Sequence, residues 1–235
     1  MWAGADARLR EQVTVSLVFG HGTMAEGAEA GPVVFIVDDD ADVRQGLQAL
    51  LESVGLRSVA FASTAQFLQN LPQNQVRCLI LDVRLPGLGG LDFQAELAAA
   101  NISMPIIFIT GFGDIPMTVK AMKAGAVEFL TKPFRDQDLL DAVRVAIDHD
   151  RLRWEQETKK RDLHVQFEAL SRREQEVMRL VTSGLMNKQV AAEIGIGEVT
   201  VKVHRHNVMK KLGARSFADL VRIADALGLP REKPR

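Results

Sequence analysis

The chain has 235 residues, enough for one large or two modest domains, with ordinary apolar (47%) and charged (25%) fractions. A single cysteine, Cys78, excludes a disulfide framework and favours a reducing, cytoplasmic setting, and no apolar run reaches the roughly 18 residues of a membrane span. The net charge of −1 hides an asymmetry: residues 33–150 carry 15 acidic and 9 basic side chains, whereas residues 171–235 carry 7 and 13. We therefore expect two domains with different partners and no membrane partner, the basic domain being suited to nucleic acid.

Residues 1–32 contain few structural signals, and we predict that they form a disordered extension. The apolar run 13–19 resembles the core of a signal peptide, but mixed charges precede it and no convincing small-residue cleavage site follows. Met24 opens a run rich in Ala, Gly and Glu that leads into the first strand, so we expect translation to begin there.

From residue 33 to about residue 150, apolar strands alternate with amphipathic helices. Strands are predicted at residues 33–37, 58–61, 78–81, 105–109 and 127–130. Helices are predicted at residues 43–54, 64–71, 91–100, 114–124 and 136–149. Five strands that alternate with five helices predict an α/β fold with a doubly wound, five-stranded parallel sheet.

Chemically active side chains stand where the predicted strands end. Asp38 and Asp39 follow the first strand and Asp82 the third, while Thr110 and Lys132 follow the fourth and fifth. These ends lie along one edge of a parallel sheet, so we expect the five side chains to converge. Carboxylates beside a phosphate suit Mg²⁺, the lysine can hold a phosphoryl oxygen, and one carboxylate remains free as a nucleophile toward phosphorus.

Each of these residues also has a structural interpretation when it is taken singly. Asp40, which follows the acidic pair, suits the start of a helix, and Thr110 and Lys132 suit turns. Their joint occurrence at ordered strand ends favours one shared site.

This part of the chain resembles the receiver domain of bacterial two-component response regulators, which has a flavodoxin-like fold, over residues 33–150. The matching motifs are Val37-Asp38-Asp39, Leu81-Asp82 followed by Pro86-Gly87, Thr110-Gly111 and Lys132-Pro133-Phe134. The resemblance implies that a sensor histidine kinase phosphorylates Asp82. It also implies one Mg²⁺ whose ligands are Asp38, Asp39, Asp82 and the main-chain carbonyl of Arg84.

The resemblance further implies a switch around the phosphorylation site. Thr110 and Lys132 would contact the phosphoryl group, the Lys132–Pro133 bond would be cis, and Phe129 would be the aromatic switch residue. A core residue on the last strand is the alternative interpretation of Phe129. The fourth helix, fifth strand and fifth helix would then change and form a homodimer. Candidate residues on that face are Met117, Val119, Lys120 and Lys123.

Residues 151–166 are charged and lack Gly and Pro, so we predict a helical linker that extends the fifth helix. This linker has two interpretations: it is a solvated helix with no partner, or it is a short coiled segment that forms a dimer. Residues 167–230 predict four helices, the first opened by a capping box of Ser171 and Glu174. Two short helices around a Gly-containing turn indicate a helix-turn-helix.

The third of these helices, near residues 198–212, has two distinct sides. Its predicted core stripe is Val201, Val208 and Leu212, and its opposite side carries Lys202, Val203, His206 and Lys210. An exposed valine can pack on a thymine methyl in a major groove while Lys202 and His206 reach base edges. Arg205 and Lys211 flank the core stripe and suit phosphates, and a merely solvated basic helix is the alternative.

This part is similar to the LuxR-type DNA-binding domain of the FixJ and NarL groups of regulators. The matching motifs are Leu170-Ser171-Arg172-Arg173-Glu174, Gly184-Leu185 with Asn187-Lys188, Thr200-Val201-Lys202 with His204-Arg205, and Lys211-Leu212-Gly213 with Arg215-Ser216. The predicted contacts to double-stranded DNA are Lys188, Thr200, Lys202, Val203, Arg205, His206, Lys210 and Lys211. Gly197 departs from the Ser or Thr that is common at this helix cap, a loss of only a few tenths of a kcal/mol.

Both resemblances together indicate a transcription regulator close to FixJ-like regulators, including those of styrene catabolism. Phosphorylation of Asp82 would switch dimerisation and sequence-specific DNA binding, with RNA polymerase as a further partner. An aspartyl-phosphate phosphatase is the competing class, but such enzymes place a general acid two residues after the nucleophile, where this chain has Arg84. We therefore expect no substrate turnover. A DNA-binding protein with an inactive receiver is disfavoured by the complete set of acids, threonine and lysine.

Overall fold

The computed structural model describes residues 31–71 and 75–229. The predictions for the extension therefore lie outside the described residues, apart from its last two positions. The chain divides into two compact units, with the division between Trp154 and Glu155. The boundaries predicted at residues 150 and 167 stay predictions.

A five-stranded parallel sheet forms the centre of the first unit. Its strands are β1 (Val33–Val37), β2 (Arg57–Phe61), β3 (Arg77–Asp82), β4 (Ile106–Thr110) and β5 (Glu128–Thr131). They lie in the order β2-β1-β3-β4-β5, and every neighbouring pair is parallel. The predicted fold class is confirmed, and the strand order reverses at β1 and β3, which is where an open α/β sheet forms its crevice.

Two layers of helices cover the sheet. They are α1 (Ala41–Ser53), α2 (Thr64–Gln69), α3 (Gly90–Ala99), α4 (Ile115–Lys123) and α5 (Asp136–Glu168). All five residues of β1 are buried, because alternate side chains point to opposite faces and both faces are covered. Phe35 belongs to a core shared with α2, α3 and α4, and Ile36 belongs to a core shared with α1 and α5.

Helix α5 continues beyond the sheet, so residues 151–166 are helical. Within the first unit it is tied down by Asp150, whose buried carboxylate accepts a hydrogen bond from the Arg77 main-chain N–H at 2.8 Å. The same carboxylate accepts one from Arg153 Nη2 at 2.6 Å. A buried carboxylate is stable only with such partners, and the contact with Arg77 fixes α5 against the start of β3.

The second unit is helical. It contains α6 (Arg172–Thr182), α7 (Asn187–Ile194), α8 (Glu198–Lys211) and α9 (Phe217–Ala226) around one apolar core. The predicted capping box is present, since Ser171 and Glu174 each accept a hydrogen bond from the other's main-chain N–H. The predicted core stripe of α8, which is Val201, Val208 and Leu212, is buried. None of the helices in the described part of the chain combines the length with the hydropathy that a membrane span requires.

Cys78 lies in β3, and burial raises the pKa of its thiol to about 12. Because the thiolate is the reactive form, we expect a thiol reagent at pH 8 to label the folded protein about 100-fold more slowly, or slower still, than the urea-unfolded chain. Because the folded pKa lies above the ordinary value of 9.0, ionisation of the thiol favours the unfolded chain, so the folded state keeps its full stability below pH 9 and loses stability as the pH rises toward 12. Mass spectrometry over time measures the rate, and equal rates in both states would contradict the prediction.

Candidate functional site

Adjacent strands bring the acidic residues together. Val37 and Leu81 are partners in the β1–β3 register, so Asp38 and Asp82 leave the sheet side by side. Asp38 is fully buried, Asp82 is 7% exposed, and Asp39 is exposed. One carboxylate oxygen from each of the three lies within 4.8 Å of the others. This cluster of hard oxygen ligands fits one Mg²⁺.

Lys132 neutralises the two buried acids from the end of β5. Its Nζ lies 2.7 Å from Asp38 Oδ2 and 2.8 Å from Asp82 Oδ2. Burial lowers the pKa of Lys132, but the hydrogen bonds that its ammonium donates to both carboxylates outweigh burial, so the pKa ends above its ordinary value. Burial raises the pKa of Asp38, although its hydrogen bonds to Lys132 and to the Asp40 main-chain N–H oppose this. Lys132 is therefore a stable cation at neutral pH.

The other oxygens of these acids are held by local turns. Asp38 Oδ1 accepts from the Asp40 main-chain N–H at 2.9 Å, and Asp82 Oδ1 accepts from the Arg84 main-chain N–H at 2.8 Å. Asp40 itself caps α1 through its side chain, which confirms its interpretation as a helix-start residue. The Lys132–Pro133 peptide bond is cis, as the resemblance implied.

Thr110 and Phe129 lie on the neighbouring strands β4 and β5. Thr110 is fully buried, and its Oγ1 accepts from the Phe112 main-chain N–H at 3.3 Å. Phe129 is also buried, and its ring centroid lies 6.1 Å from that of Phe108 in the core. In this conformation Phe129 is a core residue, as the alternative interpretation had it. Its role as a switch residue stays a prediction.

Gly113 brings the β4–α4 loop against both of these side chains. A Cβ there would lie 2.9 Å from Phe129 Cε1, 2.9 Å from Thr131 Cγ2 and 3.3 Å from Thr110 Cγ2. Any side chain at this position would therefore displace the loop or the switch residues. Sequence reasoning missed Gly113, because a glycine in a loop after a strand looks like ordinary turn chemistry.

The second unit presents a basic surface on α8. Lys202, Val203, His206 and Lys210 are exposed opposite the buried stripe, and Lys188 and Thr200 are exposed nearby in the chain. Helix α7 ends at Gly195 in a left-handed conformation (φ 68°), and α8 begins three residues later. The predicted helix-turn-helix is thus formed, with the basic side of its second helix open to solvent.

Two of the predicted DNA contacts, Arg205 and Lys211, contact other helices of the unit. Arg205 Cζ lies 4.6 Å from the Phe217 ring centroid, and Arg205 Nη1 lies 3.4 Å from Asn187 Oδ1. Lys211 Nζ lies 2.7 Å from Oε2 of Glu174, which is buried. Both basic side chains therefore help to hold α8 against its neighbours.

Comparison with known proteins agrees with this two-part organisation. Residues 34–144 match the response regulator receiver domain, and residues 168–224 match the bacterial regulatory proteins of the luxR family. Nodulation protein W of Bradyrhizobium diazoefficiens is 57% identical over 89% of this chain and 92% of that protein. Response regulator protein TmoT of Ectopseudomonas mendocina is 50% identical over 83% of this chain and 89% of that protein. The solved structure of response regulator StyR is 49% identical, with a TM-score of 0.73 over 83% of this chain and 99% of that chain.

The chain is a two-component response regulator. It belongs to the transcriptional regulators that join a receiver domain to a LuxR-type DNA-binding domain. Receiver domains typically bind Mg²⁺ at an acidic pocket, and the aspartate cluster of this response regulator has the composition for it.

In this response regulator Glu174 makes a second contact, an ion pair with Lys211, that its local sequence does not reveal. The capping box was visible because its two residues stand three positions apart, whereas the partner Lys211 stands 37 positions away. Contact with Lys211 depends on how α6 packs on α8. The predicted contact of Lys211 with DNA phosphate stays a prediction. To make it, the Lys211 ammonium would have to break its ion pair with Glu174 or bind the phosphate and Glu174 together.

Replacement of Lys211 by alanine should destabilise the DNA-binding domain by about 1–3 kcal/mol, because Glu174 would lose a charged hydrogen bond in a buried position. Burial raises the pKa of Glu174, but hydrogen bonds from Lys211 and Ser171 outweigh it and leave the pKa below its ordinary value. This stabilisation is therefore present above the unfolded pKa and lost as the pH falls through the folded pKa. The difference between variant and parent should shrink in acid.

Calorimetric unfolding of both proteins from pH 7 to pH 3 measures this difference. Lys210→Ala is the matched control, because it removes the neighbouring exposed lysine and should leave the unfolding temperature unchanged. Equal destabilisation by both substitutions would contradict the assigned role of the Lys211–Glu174 pair.

Proposed function

We propose that a sensor histidine kinase phosphorylates Asp82 of this response regulator, and that phosphorylation promotes dimerisation and sequence-specific DNA binding to control transcription. The observation that carries the proposal is the Lys132 ammonium, which lies between Asp38 and Asp82 beside the exposed Asp39. The receiver and LuxR-type matches support the kinase and DNA as partners.

The geometry supports Asp82 as the acceptor carboxylate. It is the one member of the cluster that is both in contact with Lys132 and slightly exposed, so an oxygen can reach an incoming phosphorus atom. In the transfer, an Asp82 oxygen bonds to phosphorus as the bond from phosphorus to the histidine nitrogen breaks. Mg²⁺ bound by Asp38, Asp39, Asp82 and the Arg84 carbonyl would neutralise charge on the phosphoryl oxygens. Lys132 holds one of those oxygens as a point charge.

A largely apolar groove next to Lys132, the residue that contacts Asp82, supports the kinase as a partner. Val43 and Leu47 on α1 line the groove together with Phe134 and Lys132. A kinase must bring its phosphohistidine to Asp82, so we expect the kinase to contact the surface next to Lys132.

Phosphorylation would act as a switch through Thr110 and Phe129. A phosphoryl group adds almost two negative charges and three acceptor oxygens beside Thr110 and Lys132. The conformation in which the Thr110 hydroxyl donates to a phosphoryl oxygen is then favoured over the others. Because Gly113 packs against both Thr110 and Phe129, a shift of these side chains must also move the loop that leads into α4.

An exposed apolar stripe on α4 supports dimerisation through the α4, β5 and α5 face. Ile115, Val119 and Met122 are exposed at helical spacing, an arrangement that suits contact with a second protein surface. Val119 is exposed, whereas Met117 is half-buried and packs partly against the core of the receiver domain, and the place of each on this face stays a prediction.

The open side of α8 supports insertion into a major groove. Lys202, Val203 and His206 would contact base edges, and Lys188, Thr200, Arg205, Lys210 and Lys211 would contact the backbone. Lys202 also lies 3.1 Å from Glu198, but an exposed pair of this kind is weak and would exchange readily for DNA. A dimer would place two such helices in successive grooves about 34 Å apart, and DNA-bound dimers would meet RNA polymerase as a further partner.

Replacement of Asp82 by asparagine should abolish phosphorylation by acetyl phosphate in the presence of Mg²⁺, because the amide oxygen is a poor nucleophile. Intact mass spectrometry measures the gain of one phosphoryl group. Asp40→Asn is the matched control, since asparagine is an equally good helix cap and leaves the acidic cluster complete. A hydroxylamine-sensitive phosphoryl group on the Asp82→Asn protein would refute the assignment.

Replacement of Lys202 by alanine should reduce the preference for a selected DNA site over random DNA by about 1–3 kcal/mol. Lys210→Ala, near the other end of α8, should weaken binding to both DNAs alike and lower the salt dependence, as loss of a phosphate contact does. Fluorescence anisotropy titrations at several salt concentrations measure both effects. Identical effects of the two substitutions on both DNAs would contradict this division of roles.

A further inference from the structure

Helix α8 carries two strongly exposed valines, Val199 and Val203. They expose 74% and 53% of their surface, whereas Val201 and Val208 of the same helix are fully buried. Residues four apart on a helix stand on one face, so Val199 and Val203 form one continuous apolar strip, the valine pair. Neither valine of the pair belongs to the hydrophobic core of its own domain.

The surroundings of the valine pair favour DNA over an apolar protein surface as its partner. Lys202 and His206 are exposed on the same side of α8, and the helix has four Lys or Arg residues against the single acid Glu198. A protein surface that covered the valines would have to desolvate these cations as well. A major groove offers phosphates for the cations and, on thymine alone among the bases, a methyl group for an apolar side chain.

The position and spacing of the pair also match DNA. Val199 lies in the first turn of α8, and the N-terminal residues of a recognition helix are those that reach base edges. Four residues of helix rise by about 6 Å, and stacked bases are about 3.4 Å apart along a strand. The two valines are therefore separated by about two base steps.

We propose that Val199 and Val203 each pack on the 5-methyl group of a thymine, that the two thymines lie about two base pairs apart in each half-site, and that this pair of contacts determines part of the sequence specificity. The inference rests on the proposed DNA binding and deepens it. Val199 thereby joins Lys202, Val203 and His206 as a residue that determines sequence specificity.

The test uses the full chain, treated with acetyl phosphate and Mg²⁺, and a pool of randomised DNA duplexes. A duplex enriched from the pool is remade with each thymine replaced in turn by deoxyuridine, which keeps the base pairing and removes only the methyl group. In each half-site we expect two replacements, about two base pairs apart, to weaken binding about fourfold each, which corresponds to the roughly 0.8 kcal/mol of one buried methyl-sized group. Other replacements should have no effect.

Valine variants assign each methyl group to its residue. Val199→Ala should lose the response to deoxyuridine at one of the two positions and keep it at the other, and Val203→Ala should do the reverse. Val54→Ala is the matched control, because Val54 is an exposed valine at the end of α1, outside the DNA-binding domain, and it should keep both responses. Unfolding temperatures of the three variants should equal that of the parent, since all three side chains are exposed.

The outcomes separate this inference from the function on which it rests. Unchanged affinity after every thymine replacement, with the selected duplex still preferred over random DNA, would overturn the valine pair and leave the proposed function standing. A Val199→Ala protein that keeps both responses would overturn the assignment of Val199. Absence of enrichment, together with absence of binding to any duplex, would overturn both the proposed function and the inference.

Discussion

The receiver domain depends on the charge balance at one edge of its sheet. Parallel pairing of β1 with β3 forces Asp38 and Asp82 together, and two buried carboxylates at this distance repel each other. Lys132 offsets that repulsion by contacting both, at 2.7 and 2.8 Å, from the end of β5. The site therefore exists only when β1, β3 and β5, which are distant in sequence, are in the correct register. The same strand register is thus needed both for a stable sheet and for an assembled site.

The same packing offers a physical route from the site to the surface. Thr110, Gly113 and Phe129 are in such close contact that a side chain at residue 113 would overlap its neighbours. Densely packed groups of this kind change between discrete arrangements and do not deform gradually. A change beside Asp82 would therefore move the loop before α4, and α4 carries the exposed apolar stripe that suits dimerisation.

In the DNA-binding domain, contacts with other helices and exposed groups lie on different sides of one helix, α8. Glu174 and Lys211 join α6 to α8 on the inner side, and the Arg205–Phe217 contact adds α9. These contacts hold α8 against the neighbouring helices, and none of them involves Lys202, Val203 or His206 on the outer side. The outer side is then free to present Lys202, His206 and the valine pair together, which is the mixture of cationic and apolar groups that a major groove can accommodate.

Local pattern in the sequence determined much of this protein. Strand β1 was predicted at its observed bounds, and the Ser171–Glu174 capping box and the Asp40 cap were visible as short spacings. The sheet class followed from the alternation of strands and helices, because periodicity reports which faces of an element are buried. Tertiary structure alone decided the Lys211–Glu174 pair, the close approach of Gly113 and the inward position of Met117. These features depend on how separate elements pack, and the spacing of residues along one element carries no information about its neighbour.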